Sequence, residues 1–160
     1  MTDKAYSTHI AQLADLPKYI GKELGLTDWV QITQDRINTF ADLTEDQQWI
    51  HIDAERSAKE SPYGKTVAHG FLVLSLASKF AYETYSFGDV GMAVNYGLDR
   101  VRFPNATPVD ALLRGRVSLM ECKTITGGMR FKLKVEFELK DQEKPACVAE
   151  FLGQAYSSNT

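Results

Sequence analysis

The clearest pattern in the chain lies in its second half. Met129, Phe131, Leu133, Val135, Phe137 and Leu139 alternate with Arg130, Lys132, Lys134, Glu136, Glu138 and Lys140. A period of two sustained this long predicts a strand with one face on a core and one face in water. Residues 111–121 and 146–156 predict two further strands, and residues 91–103 another that ends near Pro104. Gly127-Gly128 predicts a hairpin turn ahead of the alternating strand.

The first half follows a different period. Ile10, Leu13 and Leu16 stand at helical spacing before Pro17, so residues 7–24 are expected to be helical in part. Trp29-Val30-Gln31-Ile32 reads as a short strand. Thr33 precedes Gln34-Asp35-Arg36 as an N-cap, and Ile37, Phe40, Ala41 and Leu43 continue an amphipathic helix. Residues 44–52 break that period, and Ser61-Pro62-Tyr63-Gly64 is a turn. From Ala68 to Tyr85 the chain is apolar on all sides at first, which predicts one long buried helix, roughly 25 Å at 1.5 Å per residue. Helices followed by an antiparallel meander give an α+β domain whose sheet wraps a long central helix. The expected division is an N-terminal helical extension over 1–25 and one domain over 26–160.

Composition narrows the function. Of 160 residues, 44% are hydrophobic and 24% charged, as in an ordinary globular protein. The net charge of -3, with basic residues dispersed, gives no footprint for nucleic acid. No apolar stretch is long enough for a membrane span, and no secretory leader is visible at Met1-Thr2-Asp3-Lys4, so the expected compartment is the cytoplasm. Cys122 and Cys147 make no disulfide framework and no C-x-x-C pattern, and both read as buried small hydrophobes.

Two segments carry the candidate chemistry. Asp46 and His51 are five residues apart, about 140° around a regular helix, so they converge only where the chain leaves the helix between them. A carboxylate and an imidazole meeting at one water can move protons both ways. The alternative is a turn carboxylate and a histidine satisfied structurally. Gly70 opens the buried helix, where free N–H groups suit a developing negative oxygen, and His69 precedes it. The alternative is that Gly70 permits close packing and His69 is a cap. Asp53 is a candidate cap for the helix from Ala54. His9 has no assigned role. Arg100 and Arg102 read as a solvated strand face, with phosphate binding as the alternative. No metal is expected, because His51 and His69 lack a third ligand at zinc-like spacing.

Taken together, Asp46, His51 and Asp53, followed by Ala68-His69-Gly70, resemble the MaoC-like, or hydratase 2, family, with its Asp-x-Asn-Pro-x-His-x-Asp and Ala-His-Gly motifs. Gln48 and Trp49 depart from the Asn-Pro positions. Asp46-Gln47-Gln48-Trp49-Ile50-His51, with Asn95-Tyr96-Gly97-Leu98-Asp99-Arg100 later, resembles the NodN-like branch, over residues 26–156. The resemblance implies a hot-dog fold, a homodimer joined edge to edge, and thioester substrates carried on coenzyme A or acyl carrier protein. It implies reversible hydration of a trans-2-enoyl thioester to an (R)-3-hydroxyacyl thioester, with no cofactor. Asp46 and His51 would be the catalytic pair. Gly70 and His69 would bind substrate, with Ser78 on the central helix as a weaker substrate contact. The alternatives are a hot-dog thioesterase or a FabA/FabZ-like dehydratase, which want an acid on that helix, and a non-catalytic acyl-thioester binding module. Residues 70–82 contain no Asp or Glu.

Overall fold

Alternation in the second half is realised as paired strands. A computed structural model describes residues 4–158. Met1–Asp3 and Asn159–Thr160, the outer ends of the two expected segments, lie outside the described residues. Strand β6 (Leu112–Ile125) turns into β7 (Gly128–Leu139) through Thr126-Gly127, with Ile125 opposite Gly128. Gly127 takes the left-handed φ of 75° that the tight turn needs, so the turn lies one residue earlier than expected. Phe131, Leu133, Val135, Phe137 and Leu139 are all buried. Next to β7 runs β8 (Cys147–Ser157), followed by β5 (Val90–Arg102), which has one neighbour and forms an edge.

The N-terminal segment departs from expectation. Residues Tyr6–Ile10 form a strand, β1, and Glu23–Leu26 form β2, where a helical extension was expected. Among the described residues of this segment only Leu13–Tyr19 is helical, as a 3-10 segment containing Pro17. Ile10 belongs to the strand and Leu13 and Leu16 to the 3-10 segment, so the apparent helical spacing straddles two elements. Pairing decided the outcome. β1 lies antiparallel to β2 and parallel to β4 (Tyr85–Phe87), and β2 lies against β6. The sheet order is β4-β1-β2-β6-β7-β8-β5, with the short β3 (Val30–Gln31) also on β6. All of these pairs are antiparallel except β1 with β4.

The central helix is likewise modified. It begins at Gly70 and is broken at Leu76 into α4 (Gly70–Ser75) and α5 (Ala77–Thr84), after α1 (Gln34–Thr44), α2 (Trp49–Ile52) and α3 (Ala54–Glu60). At the break the Leu76 N–H bonds Val73 O, a tighter 3-10 step. Leu72, Val73, Ala77, Phe80 and Thr84 form the buried stripe, while Phe71 and Tyr82 are 72% and 86% exposed. The helix is therefore buried along one face within this chain, not all round. Phe80 sits against Gly115 of β6, where a Cβ would come within 2.3 Å of its ring. That close approach brings helix and sheet into one core of 24 buried residues. Among the described residues no helix is long and apolar enough to cross a membrane.

Candidate active site

The Thr33 side chain accepts the Arg36 N–H at 3.4 Å and caps α1 as expected. The helix stops after Thr44, where Glu45 takes a left-handed φ of 60°. Residues 45–48 cross to α2 outside any helix, so Asp46 and His51 escape the divergence that a continuous helix would impose. Trp49 opens α2 where the family motif has proline, and the Arg56 guanidinium lies 4.3 Å from its ring. Asp53 accepts the Arg56 N–H at 2.9 Å and caps α3, so it performs the helix-cap role.

Segment 66–69 runs alongside α2. Val67 N–H donates to Ile50 O at 3.0 Å, and Ala68 N–H donates to Thr107 O at 2.8 Å. His51 Nδ1 lies 2.6 Å from Val67 O. A carbonyl only accepts, so Nδ1 carries the proton and Nε2 is left with a free lone pair. His69 Nε2 lies 3.0 Å from Asp46 O and is protonated by the same reasoning. The two imidazoles stack with centroids 3.7 Å apart and planes inclined by 26°. Both rings are buried, whereas Asp46 is exposed.

Burial, above all, pushes the His51 imidazole below the ordinary histidine pKa, and the neighbouring His69 acts in the same direction. The bond to Val67 O and the Asp46 carboxylate oppose that shift without cancelling it. His51 is therefore neutral at pH 7 and able to accept a proton at Nε2.

The structure brings Asp46, His51 and His69 together. An Asp46 carboxylate oxygen and one nitrogen of each ring lie within 4.8 Å of one another. The Asp46 carboxylate and the His51 ring are thus close enough for one water to bridge them. Asp46 thus supplies the third ligand-type group that spacing did not reveal. His69 Nδ1 is buried without a partner among the described residues.

Gly70 and His51 line one cavity of about 220 Å³ with Tyr63, Phe103, Asn105 and Thr107. As the first residue of α4, Gly70 presents an N–H that has no intrahelical acceptor. A Cβ there would stand 3.3 Å from the Phe103 ring, so glycine keeps that approach open. Neither His69 nor Asp46 lines this cavity, and His69 stacks on His51. Ser78 is exposed and lines a separate cavity of about 320 Å³ with Tyr82, Tyr85, Phe87, Val90 and Phe151. Arg100 and Arg102 are exposed on the β5 edge.

One positioning group had no sequence signal. Gln34 Nε2 donates to His51 O at 2.8 Å, and Gln34 Oε1 accepts the Thr66 hydroxyl at 2.5 Å. At the start of an amphipathic helix it reads as an ordinary first-turn residue, and only the tertiary fold puts it behind the site.

A family model described as MaoC like domain matches residues 15–139, most of the chain. The chain belongs to that family. This MaoC-like chain is 42% identical over 139 residues to 3-hydroxyacyl-thioester dehydratase Z of Mycobacterium tuberculosis, covering 86% of this chain and 91% of that relative. It is 41% identical over 146 residues to nodulation protein N of Rhizobium leguminosarum bv. viciae, covering 90% and 91%. The NodN resemblance read from the motif is therefore borne out. The R-hydratase PhaJ1 of Pseudomonas aeruginosa superposes with a TM-score of 0.71 at 19% identity, over 93% of the MaoC-like chain and 88% of that structure. The curled sheet around α4 and α5 is thus the hot-dog arrangement.

Proposed function

We propose that the protein is an (R)-specific 3-hydroxyacyl-thioester dehydratase and enoyl-thioester hydratase, with coenzyme A or acyl carrier protein as the carrier. The observation that carries this reading is the approach of the Asp46 carboxylate and the neutral His51 imidazole to within 4.8 Å of each other. Beside it lies the cavity shared with the Gly70 amide. A relative over 40% identical is named for that dehydration, and a structural neighbour for the (R) hand.

In hydration the pair holds one water. As its oxygen bonds to C3 of the enoyl chain, a proton passes to the pair and the thioester oxygen becomes enolate-like. In this reading the Gly70 N–H, which has no intrahelical acceptor, donates to that oxygen, and a comparable donor removed elsewhere costs about 10²–10³ in rate. A proton then returns to C2, so one water is consumed and the enzyme is unchanged. With His51 Nδ1–H committed to Val67 O, only Nε2 can exchange a proton with the reaction. Dehydration follows the same path in reverse.

A thioesterase reading fares worse. The acid of the central helix, Glu83, is exposed and paired with Lys79 on the outer side. Homodimerisation through β5 fits the hot-dog frame. That edge strand exposes Met92, Val94, Tyr96 and Leu98, a row of unpaired backbone flanked by apolar side chains. With these carriers, the compartment we propose is the cytoplasm.

The test is loss of the conjugated enoyl absorbance on adding crotonyl-CoA and a longer trans-2-enoyl-CoA, followed by determination of the product's hand. Asp46→Asn and His51→Ala should each lower kcat by about 10²–10⁴. Full turnover in both variants, or release of free thiol in place of hydration, would overturn the reading.

A further inference from the structure

The contacts of His69 differ from those expected of a residue that only binds substrate. Its ring is 3% exposed and, like Asp46, lies outside the cavity shared by His51 and Gly70. Nε2 donates to the Asp46 backbone carbonyl at 3.0 Å. One face stacks on His51 at 3.7 Å. Phe40 of α1 lies 5.1 Å away in a tilted arrangement. Its other nitrogen has no protein partner, so the bond to Asp46 O is its one polar commitment among the described residues.

These contacts address a specific weakness. Asp46 sits on a loop, its side chain is exposed, and the chain around it from Asp42 to Gln48 is exposed as well. Among the described residues the other side-chain bonds of that stretch are local: Gln47 donates to Asp42, which ties the loop to the end of α1, and the Thr44 hydroxyl donates to Phe40 O within α1. His51, in contrast, is fixed from behind by Val67 O and by Gln34. The distance between the carboxylate and the imidazole therefore depends on what joins the loop to the buried ring, and His69 is the side chain that touches both.

We propose that His69 is a positioning residue: its Nε2–H anchors the Asp46 backbone while its ring face braces His51, so that one side chain sets the separation of the catalytic pair. The inference rests on the hydratase reading, and it adds a residue that acts through the pair without meeting the substrate. Because the first turn of α4 begins at the next residue, the same side chain also fixes the pair relative to the Gly70 amide.

Two substitutions separate the contacts. His69→Phe keeps a stacking ring and loses the donor. His69→Gln keeps an amide donor near the Nε2 position and loses the ring. The experiment follows crotonyl-CoA hydration at saturating and limiting substrate, with amide hydrogen exchange over residues 45–48 measured on the same samples. For His69→Phe we expect kcat to fall about 10- to 100-fold with KM within about threefold, the cost of misplacing a catalytic group by about 1 Å. Exchange at Asp46 to Gln48 should accelerate. His69→Gln should restore slow exchange and recover part of kcat. Should the phenylalanine variant not fold, His69→Asn, one methylene shorter than glutamine and out of reach of Asp46 O, takes its place.

Wild-type kcat and wild-type loop exchange in the variant without the donor would overturn the proposal. So would a glutamine variant no better than that variant, or a loss seen wholly in KM. Asp46→Asn and His51→Ala run in parallel keep the two readings apart. If they remain active, the reaction assignment falls whatever His69 does. If they are inactive while the His69 variants behave as wild type, only the positioning role falls.

Discussion

Gln34→Leu removes a side chain that meets neither the substrate nor a catalytic side chain, and it should still weaken both stability and turnover. Gln34 joins three elements: its amide N–H donates to His51 O at 2.8 Å and to Asn38 Oδ1 at 2.8 Å, and its oxygen accepts from the Thr66 hydroxyl at 2.5 Å. Thr66 is 1% exposed, so water cannot replace the lost acceptor without opening the structure. A lost neutral bond costs about 0.5–1.5 kcal/mol, and a buried hydroxyl left unpaired about 1–3 kcal/mol. Together these give about 2–4 kcal/mol, since the exposed bond to Asn38 contributes little. For a chain of this length that is a drop in Tm of roughly 5–15 °C. The same change frees the carbonyl of His51 itself, so kcat should fall about 10-fold or more as the imidazole shifts. Urea denaturation followed by tryptophan fluorescence measures the first effect, and enoyl-CoA hydration at 25 °C measures the second. A variant within about 0.5 kcal/mol of wild type would refute the network argument. A destabilised variant with unchanged kcat would refute the link from Gln34 to the His51 ring.

Other expectations follow from the same coordinates. His51 is held below its ordinary pKa in the folded state, so the unfolded chain binds more protons as pH drops below about 6.5. Its contribution is fully present above that value and is lost as pH falls, so urea midpoints at pH 7.5 and 5.5 should differ less in His51→Gln than in wild type. Gly115→Ala forces a methyl to within 2.3 Å of the fully buried Phe80 ring, and overpacking of this kind costs about 1–3 kcal/mol, read as a lower denaturant midpoint. On β5, Val94→Lys together with Leu98→Lys should shift the protein to monomer in sedimentation experiments if that edge pairs with a second copy; an unchanged mass would move the interface elsewhere.

Local rules carried the sequence reading as far as local rules reach. The β7 strand, with charges opposite Phe131, Leu133 and Val135, was legible because a period of two is written residue by residue. The Thr33 cap, the Asp53 cap and the end of α1 after Thr44 were legible because their partners lie three residues away or fewer. The family motif was legible too, since Asp46, His51 and Ala68-His69-Gly70 need only be counted.

What tertiary structure decided is what depends on partners far along the chain. Tyr6–Ile10 is too short to declare itself and became a strand because β2 and β4 offered backbone on both sides. The central helix was expected to be buried all round, yet its exposed face is defined by where the sheet ends. Asp46 and His51 approach one point only because residues 45–48 leave the helix and His69, 23 residues from Asp46, holds the loop. Gln34 reaches Thr66 across 32 residues, and no periodicity encodes such a bond. Periodicity records which face of an element meets the core; the angle and distance between two elements are set by packing, and catalysis depends on that distance.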